Sequence, residues 1–416
     1  TQFFWEKGRM KALILFFVLF IFCNAHPIIN DDDEKDKLVF LQAVWRHGDR
    51  SPIETYKTDP YQEDSWQQGW GQLSPKGMEQ HVYLGRNRLK ARYIDELKFL
   101  SPYYNSHEIY VRSTDVNRTI ASAMSNMFGM YGENARPGID YPNCTGCWPT
   151  GFIPIAIHSV REDTDYTLNA DAFCPRQTDL QILLRQTPEF KQMEKDQKAL
   201  FDYISENAKE WIGPLEMWKI VDSLYIEMLY KKQFPDWVNR TWEGKPLFNV
   251  INDTGAIVEK WVNGLGLKPY KGIDFKAEAS IIRGGTLLWS LIGHMQQKVL
   301  CLENPKLPQC TFFNKLKYYA YSAHDTTLAG LFSTLGFSKT NYNEDGYPRY
   351  SSCVTAELWK KSNGKFYVKF YYFPLGEDME DVTPEIKGCS TPCSLKQLSD
   401  RSLQYKAKPD IEQVSF

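Results

Sequence analysis

Residues 37–45, K-L-V-F-L-Q-A-V-W, form a dense apolar run that breaks without transition into R-H-G-D-R-S-P. The run is short for a buried helix, and its valines and aromatic rings suit a pleated surface, so it predicts a strand covered on both faces. Two later segments repeat the pattern. Glu108–Val111 reads as a short strand leading into Arg112, Ser113 and Thr114, with a helix from about Val116 to Phe128. Lys315–Ala323 reads as a third strand, followed by His324, Asp325 and a helix through Leu335. Strands that feed loops and then helices describe an α/β fold: a central, mostly parallel sheet flanked by helices, with ligands gathered beyond the carboxyl ends of the strands.

Other stretches fill in the frame. Ser74 and Pro75 supply a cap and a first position for a helix running through Tyr93. Cys353–Trp359 and Phe366–Phe373, split by a Ser-Asn-Gly turn, predict a closing hairpin. Residues 180–267 are rich in Lys, Glu, Gln, Leu and Trp, with helical spacing at Leu200, Ile204, Ala208 and Trp211, and predict a mainly helical inserted cap. The expected organisation is a first core segment at 36–179, the cap at 180–267, a second core segment at 268–395 and a tail at 396–416.

Ahead of the core, Lys7, Arg9 and Lys11 flank the apolar run Ala12–Cys23, and Ala25 ends a cleavage-like site. Twelve apolar residues fall short of the ~20 that span a bilayer as a helix, so 1–25 is expected to be a signal peptide, with translation starting at Met10. From residue 26 onward 46 Lys and Arg face 50 Asp and Glu, a net charge of −4, which argues against a nucleic-acid binder. No second apolar run suggests a stable membrane anchor, and a secreted, extracellular protein is expected. Eight cysteines follow Cys23, an even number that favours disulfides; Cys389 and Cys393 bracket Ser-Thr-Pro and are placed to close a short loop, while Cys144-x-x-Cys147 lacks the second pair a zinc site needs. Sequons at Asn143, Asn239 and Asn252 are expected glycan sites, and a fourth, at Asn117, lies too close to the expected active site to be counted with them.

The three strand ends bring Arg46, His47, Asp49 and Arg50, then Arg112, then His324 and Asp325 to one expected edge. Guanidinium groups stay charged and match phosphoryl oxygens with a planar fork of donors. A histidine between two arginines is held neutral, leaving a ring nitrogen free to attack phosphorus. Asp325 is placed to supply the proton that a departing alkoxide requires. Gly48 is expected to admit a ligand close to the backbone. Tyr56, Trp66 and Trp70, just beyond this loop, are candidates to wall the leaving-group side.

L-Q-A-V-W-R-H-G-D-R-S-P at 41–52, Y-V-R-S-T-D-V-N-R-T at 110–119, Y-S-A-H-D-T-T-L at 321–328, L-S-P-K-G at 73–77 and G-C-S-T-P-C at 388–393 resemble the histidine acid phosphatases, specifically their secreted, lysosomal or prostatic-type animal members. The likeness runs from about residue 36 to 395 and is weakest in the cap. It implies the fold of the wider phosphoglycerate-mutase-like superfamily, although D-R-S-P after the R-H-G core argues against the mutase branch. It also implies an acid phosphatase that hydrolyses phosphate monoesters through a phosphohistidine at His47, with Asp325 as proton donor and Arg46, Arg50, Arg112 and His324 holding the phosphoryl oxygens. No metal or other cofactor is implied. The expected partners are small phosphomonoesters or phosphorylated proteins, with a homodimer suggested by resemblance alone. A secreted binding or host-interaction protein on the same fold is the alternative.

Overall fold

A computed structural model describes residues 35–337 and 348–407. The expected leader, the true start and the end of the tail lie outside the described residues. The main sheet is built from β1 (Lys37–Arg46), β2 (Ile109–Thr114), β3 (His158–Val160), β4 (Tyr318–Ala323), β5 (Cys353–Lys360), β6 (Phe366–Phe373), β7 (Glu380–Asp381) and β8 (Cys393–Ser394). Its order is β8-β6-β5-β1-β4-β2-β3, with β7 pairing β6 off this path. The half holding β1, β4, β2 and β3 is parallel, whereas β5, β6, β7 and β8 add antiparallel pairs. The sheet is therefore mixed: the hairpin β5–β6 sits beside β1 and turns half of it antiparallel.

Period-2 alternation in β1 decides what each face covers. Leu41, Ala43 and Trp45 enter a core with Leu84, Leu89 and Met127. Leu84 and Leu89 come from Leu84–Glu96, the π-helical continuation of α1 (Pro75–Tyr83), and Met127 comes from α2 (Asn117–Tyr131). Phe40 and Val44 face the other way, onto α5 (Thr286–Glu303) and α6 (Asp325–Leu335). Between them Gln42 donates from Nε2 to the Leu291 carbonyl at 2.9 Å. Ser74 caps α1 by accepting from the Gly77 N–H at 3.0 Å.

A further core lies away from the sheet. Ile204, Ile220, Leu224 and Ile251 pack together from helix Lys198–Ala208, α3 (Met217–Leu229) and α4 (Leu247–Val262). Tyr56, reaching over from the loop after β1, is fully buried among them.

Cys389 bonds Cys393, Cys301 bonds Cys310 and Cys144 bonds Cys147, while Cys174 and Cys353 are buried thiols. The even count thus does not mean complete pairing. Cys353 opens β5 and packs in the core beneath α1 and α2, where a thiol serves as a small apolar group. Among the described residues, no helix is long and apolar enough to cross a membrane.

α3 carries an acid where none is expected: Glu227 is fully buried beside Asp59, whose carboxylate accepts from Thr55 and from the Tyr61 N–H. Burial, and then the Asp59 charge, push Glu227 up to about 9. The folded chain therefore holds a proton that the unfolded chain releases near ~4.3. Stability should fall as pH rises from that value toward about 9, because across this window the native state binds the extra proton. Urea unfolding at pH 5 and pH 8 should show wild type losing more stability than Glu227→Gln, which stays neutral at both. Parallel losses in the two proteins would mean that Glu227 is not protonated when folded.

Candidate active site

The loop after β1 is held in place by its own backbone. A Cβ on Gly48 would lie 2.4 Å from the Gly77 carbonyl oxygen, so this glycine lets the loop cross the start of α1. The space serves Gly77 and not a ligand. The buried Asp49 accepts from the hydroxyls of Ser74 and Tyr230, tying the loop to α1 and to the end of α3. Arg50 then makes a bidentate pair with Asp222 of α3, at 2.9 and 3.0 Å.

His47 sits at the floor of a cavity of about 820 Å³ that Arg46, Arg50, Arg118, His324 and Asp325 also line. Its Nδ1 lies 2.8 Å from the Gly48 carbonyl, which can only accept, so Nδ1 carries the proton and the Nε2 lone pair is free. Burial, then the charges of Arg118, Arg46 and Arg50, hold the imidazole well below its ordinary range. His324 is also depressed, to about 3, chiefly by burial and then by Arg118. Its Nε2 donates to the Thr114 hydroxyl at 3.0 Å, and its Nδ1 accepts from Arg118 at 3.4 Å. Arg46 contacts Asp325 at 2.7 Å and lies 4.1 Å over the Tyr350 ring. Burial pushes the Asp325 carboxyl up, but Arg46, Arg50 and His324 together outweigh it and hold the group below its usual value. The floor is thus a neutral, tautomerically fixed imidazole among three guanidiniums and one ionised carboxylate.

The match to a family model, Histidine phosphatase superfamily (branch 2), covers residues 37–373. The chain belongs to that family. It is 33% identical to the lysosomal acid phosphatase of Xenopus laevis over 94% of this chain and 80% of the relative. It is 32% identical to the prostatic acid phosphatase of Homo sapiens, over 95% and 90%. Among solved structures, a phytase from Citrobacter braakii superposes with a TM-score of 0.61 at 14% identity, over 89% of this chain and 98% of its own, a likeness of fold. A histidine phosphatase of the acid-phosphatase type is an enzyme, and general phosphate-ester hydrolysis follows from membership.

One arginine expected in this histidine phosphatase's site is not there. Arg112 does not line the cavity; it reaches Asp165 at 2.5 Å. The reason is register. β2 continues to Thr114, and Arg112 pairs Tyr321, two residues short of Ala323 at the end of β4, which puts it ~7 Å below the sheet edge. Arg118, at the second position of α2, reaches the edge instead. The D-V-N-R-T stretch after the strand was the available signal, since the first turn of the following helix faces the same edge as the loop. Arg112 has a different place: Asp165 also accepts from the Leu168 N–H at 3.0 Å, the Leu168 carbonyl accepts from Thr327, and the Thr327 hydroxyl accepts from the His324 N–H at 3.2 Å.

Of the three aromatics expected at the leaving-group side, none lines the cavity: Tyr56 is in the helical core and Trp66 packs edge-on against Tyr230. The loop that carries them folds back under α3. Ile53, Phe173, Trp218 and Tyr225 line the cavity instead. His81 is buried and donates to the Arg46 carbonyl, His158 stacks on Tyr110, and His294 bonds Tyr321 and Gln42. Asn143 and Asn239 are exposed and Asn252 is half-buried.

The two arginines should separate stability from site chemistry. Arg112→Ala leaves the Asp165 carboxylate buried without its partner and should cost about 3 kcal/mol in urea unfolding, with Asp165→Asn in the same chain restoring most of the loss. Arg118 is held down to about 10 by burial and by Arg50, so Arg118→Met relieves a repulsion and should leave stability unchanged or higher. Equal destabilisation by both would contradict this division.

Proposed function

We propose that this histidine phosphatase hydrolyses phosphate monoesters through a covalent phosphohistidine at His47, with Asp325 as the proton donor. The observation that carries the proposal is the His47 tautomer: an Nε2 lone pair, free of a proton, at the centre of three guanidinium groups.

In the first step Nε2 attacks phosphorus and the ester P–O bond breaks, its electron pair leaving on the alcohol oxygen. Asp325 gives that oxygen a proton, so the alcohol departs neutral. In the second step water attacks phosphorus, Asp325 takes back a proton, and the N–P bond pair returns to Nε2 as inorganic phosphate forms. Arg46, Arg50 and Arg118 hold the phosphoryl oxygens throughout and stabilise charge as it develops. Arg112 holds none of them. His324 directs its Nε2 proton to the Thr114 hydroxyl and must turn to meet a phosphoryl oxygen.

Arg46 and Arg50 hold the Asp325 carboxyl below its usual value and so ionised. A phosphoryl dianion engages those same cations and adds negative charge, both of which raise the carboxyl. Substrate thus loads its own proton donor, most fully at acid pH, while His47 stays neutral there because burial and the arginines suppress its protonation. An extracellular or lysosome-like setting, reached through the leader at 1–25, suits this range.

Purified protein and its variants should be assayed on an aryl phosphate and an alkyl phosphate between pH 4 and 8. His47→Ala should abolish release from both. Asp325→Asn should slow the alkyl ester by ~10²–10⁴ and the aryl ester far less, and should remove the fall of kcat at rising pH. Equal losses on both esters would remove Asp325 as the acid, and residual turnover by His47→Ala would remove the phosphohistidine.

A further inference from the structure

Asn117 opens α2 in the sequon Asn117-Arg118-Thr119, and of the four sequons this is the one whose middle residue lines the cavity. Nearness to the site does not bury it. Thr119 is fully buried, its hydroxyl donating to the Val116 carbonyl at 2.8 Å, and Arg118 turns to the cavity. Asn117 is exposed, its amide nitrogen donating to Gln72 Oε1 at 3.2 Å. Successive side chains on a helix stand ~100° apart, which lets Asn117 face water from the same turn that sends Arg118 inward. An oligosaccharide is transferred to the chain before it folds, so the burial of Thr119 is no obstacle. Folding asks only that Asn117 end outside, and it does.

The contact with Gln72 fixes where a group on Asn117 would stand. Gln72 follows Gly71, whose N–H donates to the Pro52 carbonyl at 2.7 Å. A Cβ on Gly71 would lie 3.4 Å from Arg118 Nη1 and 4.0 Å from Ile53 Cα. Ile53 lines the cavity and is 41% exposed, so Asn117 adjoins the mouth on this side. The floor below is deep, with His47 1% exposed and Arg50 4%. A small ester descends to it whole. A phosphoserine within a protein hangs from its backbone by one methylene group, and its phosphoryl group reaches His47 only if the polypeptide itself enters the mouth. A bulky, hydrated chain of sugars on Asn117 would occupy that entrance.

We propose that Asn117 carries an N-linked glycan, and that this glycan screens the cavity mouth, admitting small phosphomonoesters and turning away phosphorylated polypeptides. The screening role rests on the phosphatase function proposed above, whereas the occupancy of Asn117 does not. The glycan acts by bulk alone, so turnover of a small ester is the same with it and without it.

The test uses the full chain secreted by animal cells that leave N-glycans in the high-mannose form. Peptide mass spectrometry should find hexosamine on Asn117 in most molecules, and an unmodified Asn117 overturns the proposal. Free O-phosphoserine and casein then present the same ester, alone and within a polypeptide. Wild type and Asn117→Gln should have equal kcat/KM on O-phosphoserine, while on casein the variant should be severalfold faster. Trimming every glycan to a single sugar with endoglycosidase H should raise the casein rate of wild type to a similar degree and leave Asn117→Gln unchanged, which separates glycan bulk from loss of the Gln72 contact and from the other sequons. A casein rate that neither the variant nor trimming alters removes the screening role, and turnover of O-phosphoserine in that case leaves the phosphatase function standing. Failure of every form on both substrates takes down that function and the screening role together.

Discussion

The guanidinium groups of Arg46, Arg50 and Arg118 converge on one buried imidazole, and their like charges repel one another in a place with little water to screen them. Arg118 shows the tension most directly, held down to about 10 by burial and by Arg50. Arg46 and Arg50 are relieved by contacts with Asp325 and Asp222 at 2.7 and 2.9 Å. Each partner arrives from a different part of the chain: Asp325 at the start of α6, Asp222 on α3. The charge cluster therefore requires that the parallel strands and the helices beyond them meet at one edge. An incoming phosphoryl dianion completes the compensation, so repulsion accepted during folding becomes electrostatic preorganisation at the site.

α3 does more than supply Asp222. Tyr230, just past its end, bonds Asp49 of the β1 loop, and Glu227 lies buried against Asp59 between those two attachments. One helix thus fixes the loop that carries His47 and Arg50, and a neutral carboxyl sits at its anchoring point. Deprotonating Glu227 would place two adjacent carboxylates in a dry contact, so the fit of α3 to the loop is most secure in acid. The pH range that suits the proposed chemistry is also the range in which this attachment is strongest.

The sheet was legible because β1, β4 and the β5–β6 hairpin announce themselves by apolar runs and turn residues. The R-H-G-D-R stretch and His324-Asp325 were equally visible, since each follows directly on a strand. What failed was the end of β2. Reading it as finished at Val111 brings Arg112 to the edge, whereas three more residues in the strand leave Arg112 below the edge and hand the position to Arg118. A strand boundary is poorly marked when the residues past it, here Arg-Ser-Thr, pair as well as those before it. The cavity walls were illegible for another reason: Trp218 and Phe173 come from segments far from the β1 loop in sequence, and only the packing of α3 brings Trp218 to the site. Nearness in sequence favoured Tyr56 and Trp66, which that same packing buries.

Asp325 poses the sharpest question, because a proton donor should not be ionised. The arginines that would bind the phosphoryl group are the ones that hold Asp325 anionic. Dianion and proton therefore bind cooperatively in the proposed mechanism, each strengthening the other through the same guanidiniums, and linkage makes the effect reciprocal. The consequence extends to product: inorganic phosphate also binds best when Asp325 is protonated, so acid pH that speeds bond breaking also slows release.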